Sequence, residues 1–245
     1  CTICSDSDKW SQYAAYPQNG MPAGGKQLNK KSTKQIPVNS HVLYLTQTAL
    51  LTAVMIVMAF TPLGYIPLPF MNATTMHIPV IIGACLLGPK TGAVLGGIFG
   101  LTSVVKATIQ PNITSFVFTP FYSFSPQFHG GVNSLIVAIV PRIFIGLIAG
   151  RGFLFLKKHT KNLSLSLFIS GFLGSLTNTA GVMSLIYLLF KDQYAMAGGT
   201  SPSMLSGVIM GVIGINGIPE ALIAAILTQA VTRALLVFKA REVCS

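Results

Sequence analysis

Residues 42–60 read VLYLTQTALLTAVMIVMAF and contain no charged side chain. At 1.5 Å per residue, a helix of this length crosses nearly all of a hydrocarbon layer about 30 Å thick. The other residues of the 245-residue chain agree with this interpretation, because 51% of its residues are hydrophobic and only 9% are charged. So few charges would leave a soluble protein without enough polar surface. The sequence therefore predicts an integral membrane protein whose fold is all α-helical.

Further apolar segments raise the prediction to six transmembrane helices. The other five segments run from about Met76 to Leu87, Thr91 to Thr108, Val132 to Leu156, Leu163 to Phe190 and Met204 to Phe238. The second and third helices are joined at Gly88 to Lys90 by the turn GPK, which predicts a tight hairpin. The sixth is long enough to tilt or to project beyond the lipid. An even number of spans places both termini on one side.

The basic residues predict which side that is. The net charge of +11 could suggest nucleic acid, but the Lys and Arg residues do not share one face. With a cytoplasmic amino terminus, Lys191 is the basic residue left in an external loop, and Lys106 and Arg142 lie in or beside the spans. All the others become cytoplasmic, as the positive-inside rule requires. We therefore expect both termini in the cytoplasm.

Three segments follow from this topology. We expect a polar, disordered cytoplasmic tail over residues 1–40, a six-helix membrane domain over residues 41–240, and a short cytoplasmic end over residues 241–245. The tail contains Cys1 and Cys4, but a zinc site needs about four ligands. No metal site is predicted.

An aromatic loop connects the third and fourth helices on the external side. It reads FVFTPFYSFSPQF, from Phe116 to Phe128, and the prolines at 120 and 126 prevent one continuous helix. Such rings can anchor a protein at the membrane interface, but interfacial belts favour Trp and Tyr, whereas this loop has five Phe and one Tyr. We favour a lid over an organic ligand. The rings expected to cover the ligand are Phe116, Phe118, Phe121 and Tyr122.

A few polar side chains interrupt the apolar segments at similar depths. Arg142, Asn178 and Asn216 fall in the outer half to the middle of the bilayer, counted from the external ends of their helices. An ionisable group there costs at least about 2.5 to 3.5 kcal/mol, so it is either functional or paired. The remaining candidates for ligand contact are Thr177, beside Asn178, and Lys106 and His77, near external helix ends.

Two interpretations of Arg142 remain open. It can bind a ligand anion, or it can form an ion pair with Glu220, one turn deeper than Asn216. Both can hold if Glu220 orients the arginine. The asparagines could instead form hydrogen bonds between helices. However, the segment GINGIPE, from Gly214 to Glu220, contains a glycine and a proline that loosen the sixth helix beside the candidate site.

Small residues predict helix contacts. Gly92, Gly96 and Gly100 recur every four residues in the third helix, which allows close packing within the bundle. Ala49 and Ala53 form a similar step on the first helix, whose other surface is Leu, Val and Met. That stripe is a candidate docking surface for another membrane protein.

Missing motifs exclude several functions. The sequence has no GxxxxGK[ST] loop for ATP. Glu220 is the only acidic residue within the spans, which is too few for a proton relay, and His77 with Glu220 is too little for a catalytic site. We therefore predict a non-catalytic protein without a cofactor, although a stand-alone secondary transporter remains an alternative.

Two longer stretches carry a family resemblance. The segment PFMNATTMHIPVIIGACLLGPKTGAVLGGIFGLTSVV, residues 69–105, and the later TSFVFTPF, residues 114–121, resemble the substrate-binding S components of energy-coupling factor (ECF) vitamin transporters. The resemblance covers about Val42 to Lys239. TTMHIP and TSFVFTPF are most similar to the pantothenate-specific branch, and related branches carry cobalamin or hydroxymethylpyrimidine.

The resemblance implies a specific role. Such subunits capture a vitamin outside the bacterial plasma membrane and dock on a membrane coupling subunit that carries two ATPases, here through Ala49 and Ala53. Pantothenate is a small anion with one carboxylate, one amide and two hydroxyls. Arg142 or Lys106 would supply the cation, and Asn178, Asn216 and Thr177 would serve the polar groups.

Overall fold

The computed structural model describes residues 40–61, 64–67, 72–125, 128–160 and 162–244. The chain divides into two units, residues 1–47 and 48–245. The described part of the first unit is the beginning of the first helix. The tail predicted over residues 1–40 lies outside the described residues except for Ser40. In the predicted carboxyl-terminal end, residues 241–244 continue the last helix.

Eight α-helices form the described chain. They are α1 (Ser40–Phe60), α2 (His77–Leu87), α3 (Pro89–Ile109), α4 (Val132–His159), α5 (Leu163–Leu189), α6 (Lys191–Ala197), α7 (Leu205–Val212) and α8 (Ile218–Cys244). A π-helical turn, Ile213–Gly217, joins α7 to α8, and a 3-10 turn, Ser115–Val117, lies between α3 and α4.

Two short antiparallel strand pairs lie in the connections. Strand β1 (Tyr65–Pro67) pairs with β2 (Asn72–Thr74), and β3 (Ser123–Ser125) pairs with β4 (Phe128–His129). The second pair occupies the carboxyl-terminal half of the aromatic loop. The prediction of an all-helical fold therefore holds for the membrane part, and these strands are additions to it in the loops.

Five helical segments are long and apolar enough to cross a membrane. They are His41–Phe60, Pro89–Ile109, Val132–His159, Leu163–Leu189 and Leu205–Val237. They correspond to five of the six predicted spans. The second predicted span appears as α2, whose 11 residues rise only about 16 Å.

The turn between α2 and α3 shows why these two helices are adjacent. Gly88 has a φ of 96°, in the region that glycine adopts without a steric penalty. Pro89 follows at the start of α3, where its missing N–H has no helical partner to lose. The predicted tight hairpin is confirmed.

Glycines bring α3 and α4 into backbone contact. A methyl group on Gly96 would overlap the carbonyl of Arg142, and one on Gly146 would overlap the backbone of Gly92. Only glycine permits such an approach, which increases the packing that stabilises helices in lipid. The predicted role of the small residues in bundle packing is confirmed for this pair.

The core is centred on α2. This helix packs against α3, α4, α5 and α8, and nearly all of its side chains are buried. Ile81 on α2, Leu95 on α3 and Ile145 on α4 are completely buried in one cluster. Helix α1 adds Met55 and Ala59 to that cluster and exposes most of its remaining apolar side chains.

The sixth predicted span is irregular where the sequence predicted loosening. Residues 213–217 form one π-helical turn between two α-helices. π-helical turns inside α-helices occur frequently at functional sites. Asn216 lies in this turn, and Glu220 lies in the first turn of α8.

Candidate functional site

A cavity of about 420 Å³ lies between α3, α4, α5, α6 and α8. That volume falls within the usual range for small-molecule sites. The connection between α3 and α4, the end of α1 and Thr74 on β2 complete its lining. Charged lining residues are Lys106, Arg142 and Glu220.

Arg142 is the most buried cation of the lining, with 4% of its surface exposed. Its guanidinium Nη1 donates a hydrogen bond to the Val137 carbonyl at 2.6 Å. The preceding residue, Pro141, has no N–H to give that carbonyl, so a helical partner is missing at this point. The arginine side chain therefore satisfies a carbonyl that its neighbouring proline leaves unbonded.

Two aromatic rings hold the same guanidinium. Arg142 Cζ lies 5.5 Å from the ring centroid of Phe99 on α3 and 5.2 Å from that of Phe118 in the aromatic loop. Contacts of this kind stabilise a cation through the electron-rich ring face. Since Phe118 also lines the cavity, the arginine connects the loop to the membrane helices.

Helix α5 supplies an uncharged polar wall. Asn178 and Thr179 are buried and line the cavity. Within the described residues, no donor reaches Asn178 Oδ1. A buried amide oxygen usually has a partner, so this atom is available to a hydrogen-bond donor on a ligand.

Part of the aromatic loop is fixed in place by hydrogen bonds. The Ser115 hydroxyl donates to Asn112 Oδ1 at 2.8 Å, and the hydroxyls of Thr108 and Thr119 are 2.7 Å apart. The Ser134 hydroxyl, on α4, donates to the Phe116 carbonyl at 2.7 Å. The start of the loop is therefore attached to both flanking helices.

The rings of this loop have different surroundings. Phe116 is fully buried and meets Phe190 edge to face, with centroids 5.9 Å apart. Phe118 lines the cavity, Tyr122 is half-buried and Phe121 is 79% exposed. The loop thus contributes one described ring to the cavity lining and buries another in the core.

Helix α6 adds a phenol to the lining through Tyr194. Burial raises the pKa of this hydroxyl above its usual value of about 10. The group therefore keeps its proton at neutral pH and can donate a hydrogen bond.

Glu220 lines the cavity from α8, and its neighbour at ion-pair distance is His77. His77 Nδ1 lies 3.6 Å from Glu220 Oε1, and the histidine is only 1% exposed. His77 is at the start of α2 and is not among the lining residues. The histidine therefore contacts Glu220 from within the protein.

Four of the ten predicted ligand contacts line this cavity: Lys106, Phe118, Arg142 and Asn178. Thr177 is outside the lining, where its hydroxyl donates to the Leu173 carbonyl at 2.7 Å. The other five that do not line it are His77, Phe116, Phe121, Tyr122 and Asn216.

Several lining residues were not singled out from sequence as ligand contacts. They include Gln110, Asn112, Thr179, Tyr194 and Glu220. Asn112 and Tyr194 lie in connections, where apolar periodicity gives no signal. Among the described residues, no group of three or more His, Cys, Asp or Glu side chains is placed to hold a metal ion.

The predicted docking residues are on the surface. Ala49 and Ala53 are both exposed on α1, beside exposed large side chains such as Leu50, Val54 and Val57.

Comparison with known proteins gives consistent matches. Residues 43–232 match the family described as ECF transporter, substrate-specific component. The chain is 36% identical over 189 residues to a pantothenic acid transporter, PanT, of Lactococcus lactis subsp. cremoris, covering 76% of this chain and 90% of that protein. It is 31% identical over 208 residues to a pantothenate transporter, PanT, of Leuconostoc mesenteroides subsp. mesenteroides, covering 81% and 94%.

Proposed function

The chain belongs to the family of substrate-specific components of ECF transporters, and we propose that it is the pantothenate-binding subunit of such an importer. It is a multi-pass plasma-membrane protein. The two relatives named for pantothenate transport support this choice of substrate. The observation that carries the proposal is a buried, aromatic-flanked Arg142 in the wall of a 420 Å³ cavity.

Arg142 would bind the pantothenate carboxylate. A guanidinium has five N–H donors, so it can hold the Val137 carbonyl and a carboxylate together. A carboxylate can accept two parallel hydrogen bonds from an arginine. The rings of Phe99 and Phe118 fix the side chain before ligand arrives, and preorganisation of this kind lowers the ordering cost of binding. Lys106 provides a second positive charge on the same side.

The remaining polar lining fits the uncharged part of the molecule. Asn178 Oδ1 can accept from the ligand amide or a hydroxyl, and Tyr194 can donate to a carbonyl. Val182, Met183 and Ile186 line the cavity beside them and can contact the ligand's methyl groups. Asn216, Thr177 and the other predicted contacts would act only after a rearrangement that brings them to the ligand.

The proposal includes a topology with six crossings and both termini in the cytoplasm. In this topology, α2 makes the second crossing. The tail over residues 1–40 and the end over residues 241–245 are cytoplasmic, and residues 41–240 form the binding domain. In this arrangement the cavity lies toward the external side of the membrane, beneath the aromatic loop and α6.

Energy for transport comes from partners in this proposal. The family implies a complex, and we place the membrane coupling subunit against the exposed Ala49 and Ala53 stripe on α1. Small residues permit close helix approach in lipid. Two ATPase subunits would then drive reorientation of the loaded subunit.

The test is the identity and affinity of the bound vitamin. The purified chain should co-purify with pantothenate, identified by mass spectrometry, and should bind added pantothenate but neither cobalamin nor hydroxymethylpyrimidine in calorimetry. Binding of one of those vitamins in place of pantothenate would contradict the assignment. Uptake by the isolated chain that follows a proton or sodium gradient would instead show a secondary transporter.

A further inference from the structure

The charged groups of the cavity come from different helices. Lys106 and Arg142 project from the adjacent helices α3 and α4, whereas Glu220 projects from α8. Helix α5 packs against both α4 and α8 and contributes the uncharged Asn178 and Thr179 between them. The lining is therefore polarised, with its positive charges on one wall and its acid on another.

A buried histidine lies behind Glu220. His77 Nδ1 lies 3.6 Å from its Oε1, and this histidine is buried outside the cavity lining. Thus α2 places a buried imidazole beside the acid that α8 presents to the cavity. Within the described lining, Glu220 is the one carboxylate, and a carboxylate can only accept hydrogen bonds.

The charge distribution along pantothenate matches that of the cavity lining. Its carboxylate is at one end, and its primary hydroxyl, a hydrogen-bond donor, is at the other. If Arg142 takes the carboxylate, the hydroxyl end extends away from the positive wall. An acid there gains a hydrogen bond from a neutral hydroxyl but repels an anion.

We propose that Glu220 is a specificity-determining residue, which accepts a hydrogen bond from the ligand's terminal hydroxyl and rejects the ligand in which that hydroxyl carries a phosphate. This inference rests on the proposed function. Charge rather than size makes the selection, because a cavity of 420 Å³ has room for such a group.

Reversing the phosphorylated ligand does not avoid the conflict. If its phosphate bound at Arg142 and Lys106, its own carboxylate would face Glu220 instead. A dianionic end and a monoanionic end cannot both lie on the positive wall when they are at opposite ends of one molecule. Either orientation leaves an anion near the acid, where the two like charges repel.

The experiment compares three ligands on the full chain in detergent: pantothenate, its phosphate monoester at the primary hydroxyl, and the analogue that lacks this hydroxyl. We expect the unmodified protein to bind the phosphate ester at least about 100-fold more weakly than pantothenate and the deoxy analogue about tenfold more weakly. In Glu220→Gln, the discrimination against phosphate should fall at least about tenfold. The matched control is Asp192→Asn, an exposed acid on α6 outside the lining, which should retain both ratios.

Equal affinity of the unmodified protein for pantothenate and its phosphate ester would overturn the inference. So would an unchanged ratio in folded Glu220→Gln. If that variant does not fold, Glu220→Asp is the second test. It keeps the charge but shortens the side chain by one methylene group, which moves the carboxylate away from the ligand. It should still reject phosphate and lose its preference for the hydroxyl, and retention of the full hydroxyl preference would count against the proposal. A protein that fails to bind pantothenate at all would contradict the proposed function itself.

Discussion

Arg142 occupies its position because of the residue before it. Pro141 removes one helical hydrogen bond inside α4 and leaves the Val137 carbonyl to be bonded by the arginine at 2.6 Å. The helix thus obtains a partner for a buried carbonyl, and the guanidinium obtains a fixed direction. One proline determines where the charge of the site lies.

Replacing this arginine should therefore affect binding strongly. We expect Arg142→Ala to weaken pantothenate binding by about 2 to 5 kcal/mol, because it removes the partner of a buried carboxylate. Arg142→Lys keeps a charge but not the planar fork, so its affinity should be intermediate. Calorimetry in detergent measures both.

The matched control is Arg151→Ala on the same helix, where the side chain is exposed and outside the cavity lining. Its affinity should equal that of the unmodified protein. If Arg142→Ala behaves like the control, the arginine is structural and the cation for the ligand must be another residue.

The phenol of Tyr194 allows a finer test. Because burial raises its pKa, the hydroxyl remains a donor at neutral pH. Tyr194→Phe should lower pantothenate affinity by about 0.5 to 1.5 kcal/mol, the usual value of one neutral hydrogen bond. Tyr187→Phe serves as the control, since Tyr187 lies outside the lining and its ring faces Lys191. An equal effect of both changes in the same titration would argue against a ligand contact at Tyr194.

At this scale, the sequence predicted how deep a residue lies in the membrane better than which way its side chain points. Counting residues brought Arg142 and Asn178 to the level of the cavity. Neighbouring residues point about 100° apart on a helix, and the cavity is lined by Asn178 and Thr179 but not by Thr177 on the other side of Asn178. Asn216 lies in a π-helical turn, where the usual angular spacing no longer applies.

Among the elements, the contact between α3 and α4 positions the site. The glycines of α3 allow its backbone to lie against α4 at Arg142, and Phe99 on α3 then reaches the guanidinium. Any residue that separates these helices should move the cation away from its ring.

Gly96→Ala should accordingly destabilise the protein and weaken binding. Its added methyl group would overlap the Arg142 carbonyl, and overpacking typically costs about 1 to 3 kcal/mol. Gly97→Ala is a close control on the same helix, because a methyl group there meets no atom within 4 Å. The midpoint of thermal unfolding should fall for Gly96→Ala and stay level or rise slightly for Gly97→Ala. A similar midpoint for both would mean that the two helices can separate at little cost.

The long helices were predictable because about twenty apolar residues have few alternatives in lipid. All six predicted spans begin within two residues of an observed helix, at α1, α2, α3, α4, α5 and α7. The residues of α2 were predicted as well, Met76 to Leu87 against the observed His77–Leu87, but its 11 residues are shorter than a full crossing. The strand pairs and α6 depend on contacts between loops, which periodicity does not contain.

At the scale of the whole molecule, the described helices enclose a cavity, and the proposed function assigns the driving of transport to partner subunits. In the described membrane helices, Glu220 is the acid at the cavity, and its close neighbour is His77. Binding and energy use are therefore assigned to different chains in the proposed complex.

This separation predicts binding without accumulation. Vesicles that contain the purified chain alone should bind pantothenate but should not concentrate it, with or without a proton gradient. Radiolabelled uptake measures the difference, and vesicles with the complete complex and internal ATP are the positive control. Concentrative uptake by the chain alone would contradict the subunit role.

A substitution in the Ala49 and Ala53 stripe should impair assembly of the complex without changing ligand binding. Ala53→Trp should leave pantothenate affinity of the isolated chain unchanged, because Ala53 is exposed and outside the cavity. It should reduce co-purification with the coupling subunit and uptake by the complex at least about tenfold, because a large ring prevents close helix approach. Val54→Trp, at an exposed neighbour on the same helix, should retain assembly. Loss of assembly in both variants would show a contact that does not depend on the alanines.

The short length of α2 also has a consequence for how the chain inserts into the membrane during synthesis. Its 11 residues are too few to hold a nascent chain in the bilayer alone, so we expect it to enter the membrane joined to α3 through the Gly88 turn. One of the helices that cover it, α8, comes last in chain order among the described helices. The acid that faces His77 is therefore synthesised long after the histidine. The binding cavity can be completed only after α8 has been made, and a chain truncated before α8 should be recognised by quality-control proteases as unfinished.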